Sequence, residues 1–79
     1  MAGSKKRFSD TEMKIIRLLA KGYSYQDIAE ILHYVKATIG NNVRRIGKKL
    51  GVSGRFDILR MALIKRIVRI KDLEQDDKE

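Results

Sequence analysis

The stretch from residue 22 to residue 50 constrains the fold more than any other part of this chain. Ser24 is a suitable N-cap for a helix, and apolar residues recur at helical spacing after it, up to about residue 33. After a short turn, a second helix over about residues 36–50 carries an apolar face with helical spacing, formed by Ile39, Val43, Ile46 and Leu50. Gly51 stands where helices commonly end in a left-handed residue. The pattern predicts two amphipathic helices joined by a turn.

The same stretch is strongly basic. The sequence has no Asp or Glu between Ile31 and Phe56, and the basic residues of this segment are Lys36, Arg44, Arg45, Lys48, Lys49 and Arg55. Because a row of uncompensated cations on one helix attracts a polyanion, we expect nucleic acid as the partner. The two features together predict a helix-turn-helix whose second helix faces a polyanion, most simply nucleic acid.

Composition limits the alternatives. The chain has 79 residues, a formal net charge of +8, no Cys and one His, so it can hold neither a disulfide nor a His/Cys metal site. Small chains without such crosslinks most often stabilise themselves by packing helices. Composition therefore favours an all-α protein, and the patterns along the chain predict four helices. We expect no cofactor, no metal and no small-molecule ligand.

The charge is unevenly distributed, and this suggests boundaries. Residues 72–79 hold five acids and one Lys, so the preceding 71 residues hold 17 bases and five acids. We expect a disordered basic lead-in over residues 1–7, a folded domain over residues 8–71 and a solvated acidic tail over residues 72–79. The lead-in could alternatively be an arm that contacts phosphates.

A further helix precedes the helix-turn-helix. Ser9 and Glu12 have the spacing of a capping box, and Phe8 and Met13 are placed to pack as a hydrophobic staple. Gly22 ends this helix. Its predicted buried face consists of Ile15, Ile16, Leu18 and Leu19. We interpret this helix as a support for the helix-turn-helix.

The last predicted helix begins after Ser53 or Gly54 and runs to about Lys71. One apolar stripe suits the core: Phe56, Leu59, Leu63, Ile67 and Ile70. A second stripe, about 140° away at 100° per residue, is formed by Met61, Ile64 and Val68. Left in water, it would be a candidate homodimer contact. Alternatively, one stripe wraps the domain and the other residues are scattered over its surface.

Two glycines are unusual in the basic helix. Gly40 and Gly47 each cost about 1 kcal/mol relative to Ala in a helix interior. They lie on nearly the same side, seven residues apart. Either they allow a close approach, of DNA at Gly40 and of a neighbouring helix at Gly47, or the packing merely tolerates them.

These residues resemble the LuxR-type helix-turn-helix domain of bacterial transcription regulators. The resemblance covers Phe8 to Leu59 and rests on FSDTEMKIIRLLAKGYSYQDIAEIL, then ATIGNNV, then KKLGVSGR. It departs from the family at Val35, where a hydroxyl residue is usual, at Gly40, where Lys is common, and at Gly47, where a large apolar residue is usual.

The resemblance implies a third helix in the major groove and a fourth helix that pairs two domains on an inverted repeat. It implies base contacts at Gly40, Asn41 and Arg44. It implies phosphate contacts at Thr38, Arg45, Lys48 and Lys49, to which the basic segment adds Lys36. The dimer contact would be the stripe of Met61, Ile64 and Val68.

Other functions are less consistent with the sequence. A sigma-factor region 4, which contacts promoter DNA and RNA polymerase, has a similar helix-turn-helix, but the KKLGV segment followed by a long apolar helix favours the LuxR type. An adaptor that binds an acidic protein is a third interpretation. The sequence shows no nucleophile placed with a base, no paired carboxylates and no phosphate loop. It therefore gives no indication of an enzyme. Without a signal peptide or an apolar run of about 18 residues, we expect a cytoplasmic protein, associated with the nucleoid when bound and without membrane contact.

Overall fold

The computed structural model describes residues 8–71. Within them the chain forms four α-helices and no strand: α1 (Asp10–Ala20), α2 (Tyr25–Leu32), α3 (Lys36–Leu50) and α4 (Arg55–Ile64). The all-α expectation is confirmed, and the first three helices lie where the sequence predicts them. The predicted lead-in (1–7) and acidic tail (72–79) lie outside the described residues.

The ends of α1 and α2 explain why these helices begin and stop where they do. The Ser9 hydroxyl accepts a hydrogen bond from the Glu12 backbone N–H at 3.1 Å, and the Glu12 carboxylate accepts one from the Ser9 N–H at 2.9 Å, which confirms the capping box. The Ser24 hydroxyl accepts a bond from the Asp27 N–H at 3.0 Å. α2 ends at His33, whose φ of 64° is left-handed.

The core lies between α3 and the other three helices, all of which pack against it. α3 buries the face that the sequence predicts, and α1 contributes three of its four predicted core residues, Leu18 being half-buried. The buried apolar residues are Ile15, Ile16, Leu19, Ile28, Ala29, Ile39, Val43, Ile46, Leu50, Ile58, Ala62 and Val68. The core therefore fixes which side of α3 faces inward and which faces solvent.

Gly47 is required by the turn that follows α3. The Val52 N–H donates to the Gly47 carbonyl at 2.9 Å, and Gly51 adopts a left-handed φ of 77°. A Cβ on Gly47 would lie 2.7 Å from the Val52 carbonyl oxygen, closer than real side chains approach. The close approach predicted at this glycine is present, but it is to the chain's own turn rather than to a neighbouring helix.

The end of α4 corrects the sequence prediction. The helix stops at Ile64 rather than near Lys71, because Arg66 turns left-handed with a φ of 60°. The Ile67 N–H donates to the Ala62 carbonyl at 2.8 Å, which closes the helix with the hydrogen bond that commonly accompanies a left-handed residue. The chain then turns back toward the core.

The buried face of α4 also differs from the prediction. Ile58 and Ala62 are buried, whereas Phe56 is 81% exposed and Ile70 is 64% exposed. The residues of the second stripe do not share one exposed face either, because Val68 is only 1% exposed and Met61 is half-buried. Of the three residues predicted at a dimer contact, only Ile64 is exposed. The apolar periodicity did not predict the buried face of α4, because apolar residues lie on every side of this helix.

Candidate DNA-binding surface

The outward side of α3 carries the residues expected to contact bases. Asn41 and Arg44 are exposed, one helical turn apart, and they line a shallow groove of about 270 Å³ together with Arg45 and Lys48. Gly40 lies beside them, and apart from its chain neighbours and the nearby backbone of α3 itself, no atom of residues 8–71 would lie within 4 Å of a Cβ at this position. Packing within the described chain therefore does not explain this glycine, whereas it does explain Gly47.

A second groove, of about 430 Å³, runs along the flank of α3 next to the first. It lies between α3 and the turn that leads to α4, with Tyr25 contributing from the start of α2. The Arg44 and Lys48 side chains border both grooves. The glycines at positions 40 and 47 line the second groove and contribute no side chain to fill it. This side of α3 is therefore concave and basic.

The predicted phosphate contacts lie along the rest of the exposed surface of α3. Lys36 and Lys48 are exposed near its two ends, and Thr38 is half-buried. The Asn42 side-chain amide donates to the Thr38 carbonyl at 2.8 Å, and its oxygen accepts from Arg45 at 3.3 Å. Asn42 thus uses both ends of its amide within the helix and orients the Arg45 guanidinium.

Lys49 differs from the other cations of α3. Its Nζ lies 2.8 Å from Glu12 Oε1 and 5.5 Å from the centre of the Phe8 ring. Arg45 approaches the same carboxylate, with 3.9 Å between Nη1 and Oε2. Glu12 is only 3% exposed, so α1 places a buried negative charge beneath one edge of the basic helix.

The ionisation of Glu12 follows from these contacts. Burial would by itself raise the pKa of the carboxyl, but the hydrogen bonds from Lys49 and from the Ser9 N–H and the charges of Lys49 and Arg45 lower it. The net result is a pKa below the ordinary value of 4.5. The stabilisation that this provides is fully present above pH 4.5 and is lost as the pH falls through the lower folded value.

Arg55, which belongs to the basic segment of the sequence, has a structural role. Its Nη2 donates to the Leu19 carbonyl at 3.2 Å and to the Tyr23 carbonyl at 2.6 Å. The Leu19 carbonyl lies near the end of α1, where it also accepts from the Gly22 N–H at 3.0 Å, and the Tyr23 carbonyl lies in the turn that follows. Arg55 therefore fastens the start of α4 to α1.

The sequence located the outward residues of α3 but missed how some of them are used. The Glu12–Lys49 contact joins positions 37 residues apart, and the identity of neither residue predicts it. The capping-box spacing did identify Glu12, although only for its local role. Phe56 was assigned to the core, and a weakly amphipathic helix gave no signal that could have corrected this.

Among residues 8–71, no group of three or more His, Cys, Asp or Glu side chains is placed to hold a metal ion. None of the helices of this segment combines the length and the apolar character needed to cross a bilayer.

Comparison with known proteins identifies the domain. The family model of the bacterial regulatory proteins of the luxR family (GerE) matches residues 6–62, which is more than half of the chain. Neither the curated proteins nor the solved structures gave a significant match. The matched range includes α1, α2 and α3, with the exposed basic face of α3. The chain belongs to the luxR family of bacterial regulatory proteins and carries its helix-turn-helix DNA-binding domain, a non-enzymatic unit of transcription regulation.

Proposed function

We propose that this protein is a sequence-specific transcription regulator that binds an inverted repeat as a dimer, with α3 in the major groove of each half-site. The observation that carries the proposal is the outward face of α3, where Asn41 and Arg44 are exposed beside the open space at Gly40. It would act in the cytoplasm, where bacterial DNA is found. The family assignment favours this role over that of a sigma-factor module.

The exposed side chains of α3 suit direct contact with bases. An Asn amide can form a bidentate pair with adenine, and an Arg guanidinium can form one with guanine. Because Gly40 lacks a side chain, the helix can lie closer to the base edges than a Lys at this position would allow. We therefore assign base contacts to Gly40, Asn41 and Arg44.

The remaining polar residues of α3 are placed to contact the DNA backbone. We assign phosphate contacts to Lys36, Thr38, Arg45 and Lys48, whereas the Lys49 ammonium is held by Glu12. If the three cations of this group in each of two domains neutralise about six phosphates, log K should fall against log salt with a slope of about −5.

Salt-dependent binding to random duplex DNA tests this part of the proposal. A slope near zero would contradict DNA binding and would favour an adaptor that binds an acidic protein. Direct contact with RNA polymerase, which the sigma-factor interpretation implies, stays a prediction.

The dimer contact is reassigned to the exposed face of α4. Phe56, Arg60 and Ile64 follow one another at intervals of four residues, so they lie along one side of the helix. Phe56 and Ile64 are 81% and 59% exposed. Antiparallel pairing of two such helices about a two-fold axis would place Phe56 of one protomer near Ile64 of the other. This pairing would cover the two apolar side chains that this face of α4 leaves in water.

Sedimentation measurements with and without operator DNA test the contact. Ile64→Glu should keep the helical circular dichroism of the parent but prevent two domains from pairing on the operator. Ile31→Glu is the matched control, because Ile31 is an exposed isoleucine on α2, 45% accessible and outside this face. Equal pairing in the two variants would contradict the assignment.

A further inference from the structure

Two cations of α3, of which only Arg45 is assigned a phosphate contact, lie near the same carboxylate of α1. Glu12 Oε1 lies 2.8 Å from Lys49 Nζ, and Glu12 Oε2 lies 3.9 Å from Arg45 Nη1. Because the carboxylate is buried, water and salt screen it less than they would screen a surface charge. Its negative charge therefore acts on the same helix that we propose to face DNA.

We propose that Glu12 sets the strength of DNA binding, by keeping Lys49 as its own counter-ion and by offsetting part of the charge of Arg45. The inference rests on the proposed function, since the affinity that Glu12 governs is the affinity for DNA. It makes Glu12 a positioning residue, which acts on the interface through two cations and does not itself contact DNA.

The surroundings of Lys49 support the inference. The Lys49 side chain is 31% exposed, against 57% for Arg45, and it lies over the Phe8 ring as well as against Glu12. To bind a phosphate, Lys49 would have to leave Glu12, and the buried carboxylate would lose its nearest partner. Arg45 is farther from Glu12 and is oriented by Asn42, so it can contact a phosphate at less expense.

The local role of Glu12 does not require its charge. In a capping box, Gln can replace Glu, because its side-chain oxygen also accepts the backbone N–H of the cap residue. Glu12→Gln should therefore keep the Ser9 hydrogen bond and the shape of the side chain while removing the negative charge. This variant separates the electrostatic effect on α3 from the capping of α1.

A cycle of four proteins tests the proposal: the parent, Glu12→Gln, Lys49→Gln and the double variant. The binding of each to random duplex DNA is measured against salt, and circular dichroism verifies the fold. Glu12→Gln should steepen the slope by about one unit per domain and tighten binding about five- to tenfold per domain near 0.1 M salt. Lys49→Gln should weaken binding, because the Glu12 charge then acts on α3 without its counter-ion. The double variant removes both charges and should bind like the parent.

Two controls keep the result specific. Asp57→Asn makes the same change in net charge at an exposed position of α4, and it should leave the slope unchanged. Should Glu12→Gln lose its fold, NMR of the parent decides: nuclear Overhauser contacts between the Lys49 side chain and the Phe8 ring should persist in the complex with random duplex DNA, and their loss would overturn the inference.

The contrary results are distinct. An unchanged slope in Glu12→Gln, with equal weakening in Lys49→Gln and the double variant, would show that Lys49 contacts phosphate independently and would overturn the inference. Weaker binding by a folded Glu12→Gln protein would overturn it as well, by showing a purely structural role. A flat slope for the parent would instead overturn the proposed function, and the inference with it.

Discussion

Helices α3 and α4 bury their apolar residues in different ways. α3 places its large apolar side chains on one buried face and its polar and basic ones on the other. α4 has apolar side chains on all sides, of which it buries Ile58 and Ala62 and leaves Phe56 and Ile64 exposed. Its packing is completed by Val68, which reaches the core only after the chain has turned back at Arg66.

The difference shows what an apolar pattern can determine. Where one face is apolar and the other polar, the pattern fixes the rotation of the helix about its axis, as in α3. Where apolar residues surround the helix, several rotations bury similar areas, and the neighbouring elements decide among them. The second case also leaves apolar surface for a partner, which is why α4 is the proposed dimer helix.

The largest difference in the free energy of unfolding is expected between alanine substitutions at two isoleucines. Ile46 on α3 is fully buried, so Ile46→Ala should lower the free energy of unfolding by about 2–5 kcal/mol. Ile64→Ala on α4 should change it by less than about 0.5 kcal/mol, because the side chain is exposed in the monomer. Chemical denaturation of the monomer measures both values. Equal losses would mean that α4 buries a different face.

Val68 tests whether the chain really turns back after α4. Val68→Glu should destabilise the monomer by about 2–3 kcal/mol, because the carboxylate must either be buried or pull the terminal segment away from the core. Ile64→Glu, on the exposed face, is its matched control. A Val68→Glu protein as stable as this control would indicate that the helix continues past Ile64.

Arg55 tests how α4 is fastened to the rest of the fold. Arg55→Ala should lower stability by about 1–3 kcal/mol, because the Leu19 and Tyr23 carbonyls lose a charged donor. Arg60→Ala, at an exposed position on the same helix, should have little effect on the monomer. Thermal unfolding of both variants gives the comparison, and similar melting temperatures would contradict the role of Arg55.

The smallest effect is expected at the start of α3. Val35 occupies the N-cap position, and its side chain has no oxygen to accept a hydrogen bond from the first turn. Val35→Ser should raise stability by about 0.5–1 kcal/mol. Since Val35 is 67% exposed, little packing is lost in exchange. A decrease in the unfolding midpoint would show that Val35 makes a contact that matters more than the cap.

Local signals explain why α1, α2 and α3 could be predicted. Ser9, Ser24 and Gly51 mark helix ends with residue types whose side chains or backbone suit those positions. The end of α4 had no such marker. Arg66 adopts a left-handed backbone there, a conformation usually taken by Gly or Asn, so its residue type does not indicate a helix end. The Glu12–Lys49 contact could not be predicted either, since it depends on how α1 packs on α3.

Selection of binding sites from a random duplex pool tests the central claim, that the outward face of α3 contacts bases. Asn41→Ala and Arg44→Ala should each cost about 1–3 kcal/mol on the best site and relax the preference at one base pair per half-site. Lys48→Ala, the control for a phosphate contact, should weaken binding to all duplexes alike and flatten the salt slope by about one unit per site. Base preferences that stay unchanged in both Asn41→Ala and Arg44→Ala would contradict the claim.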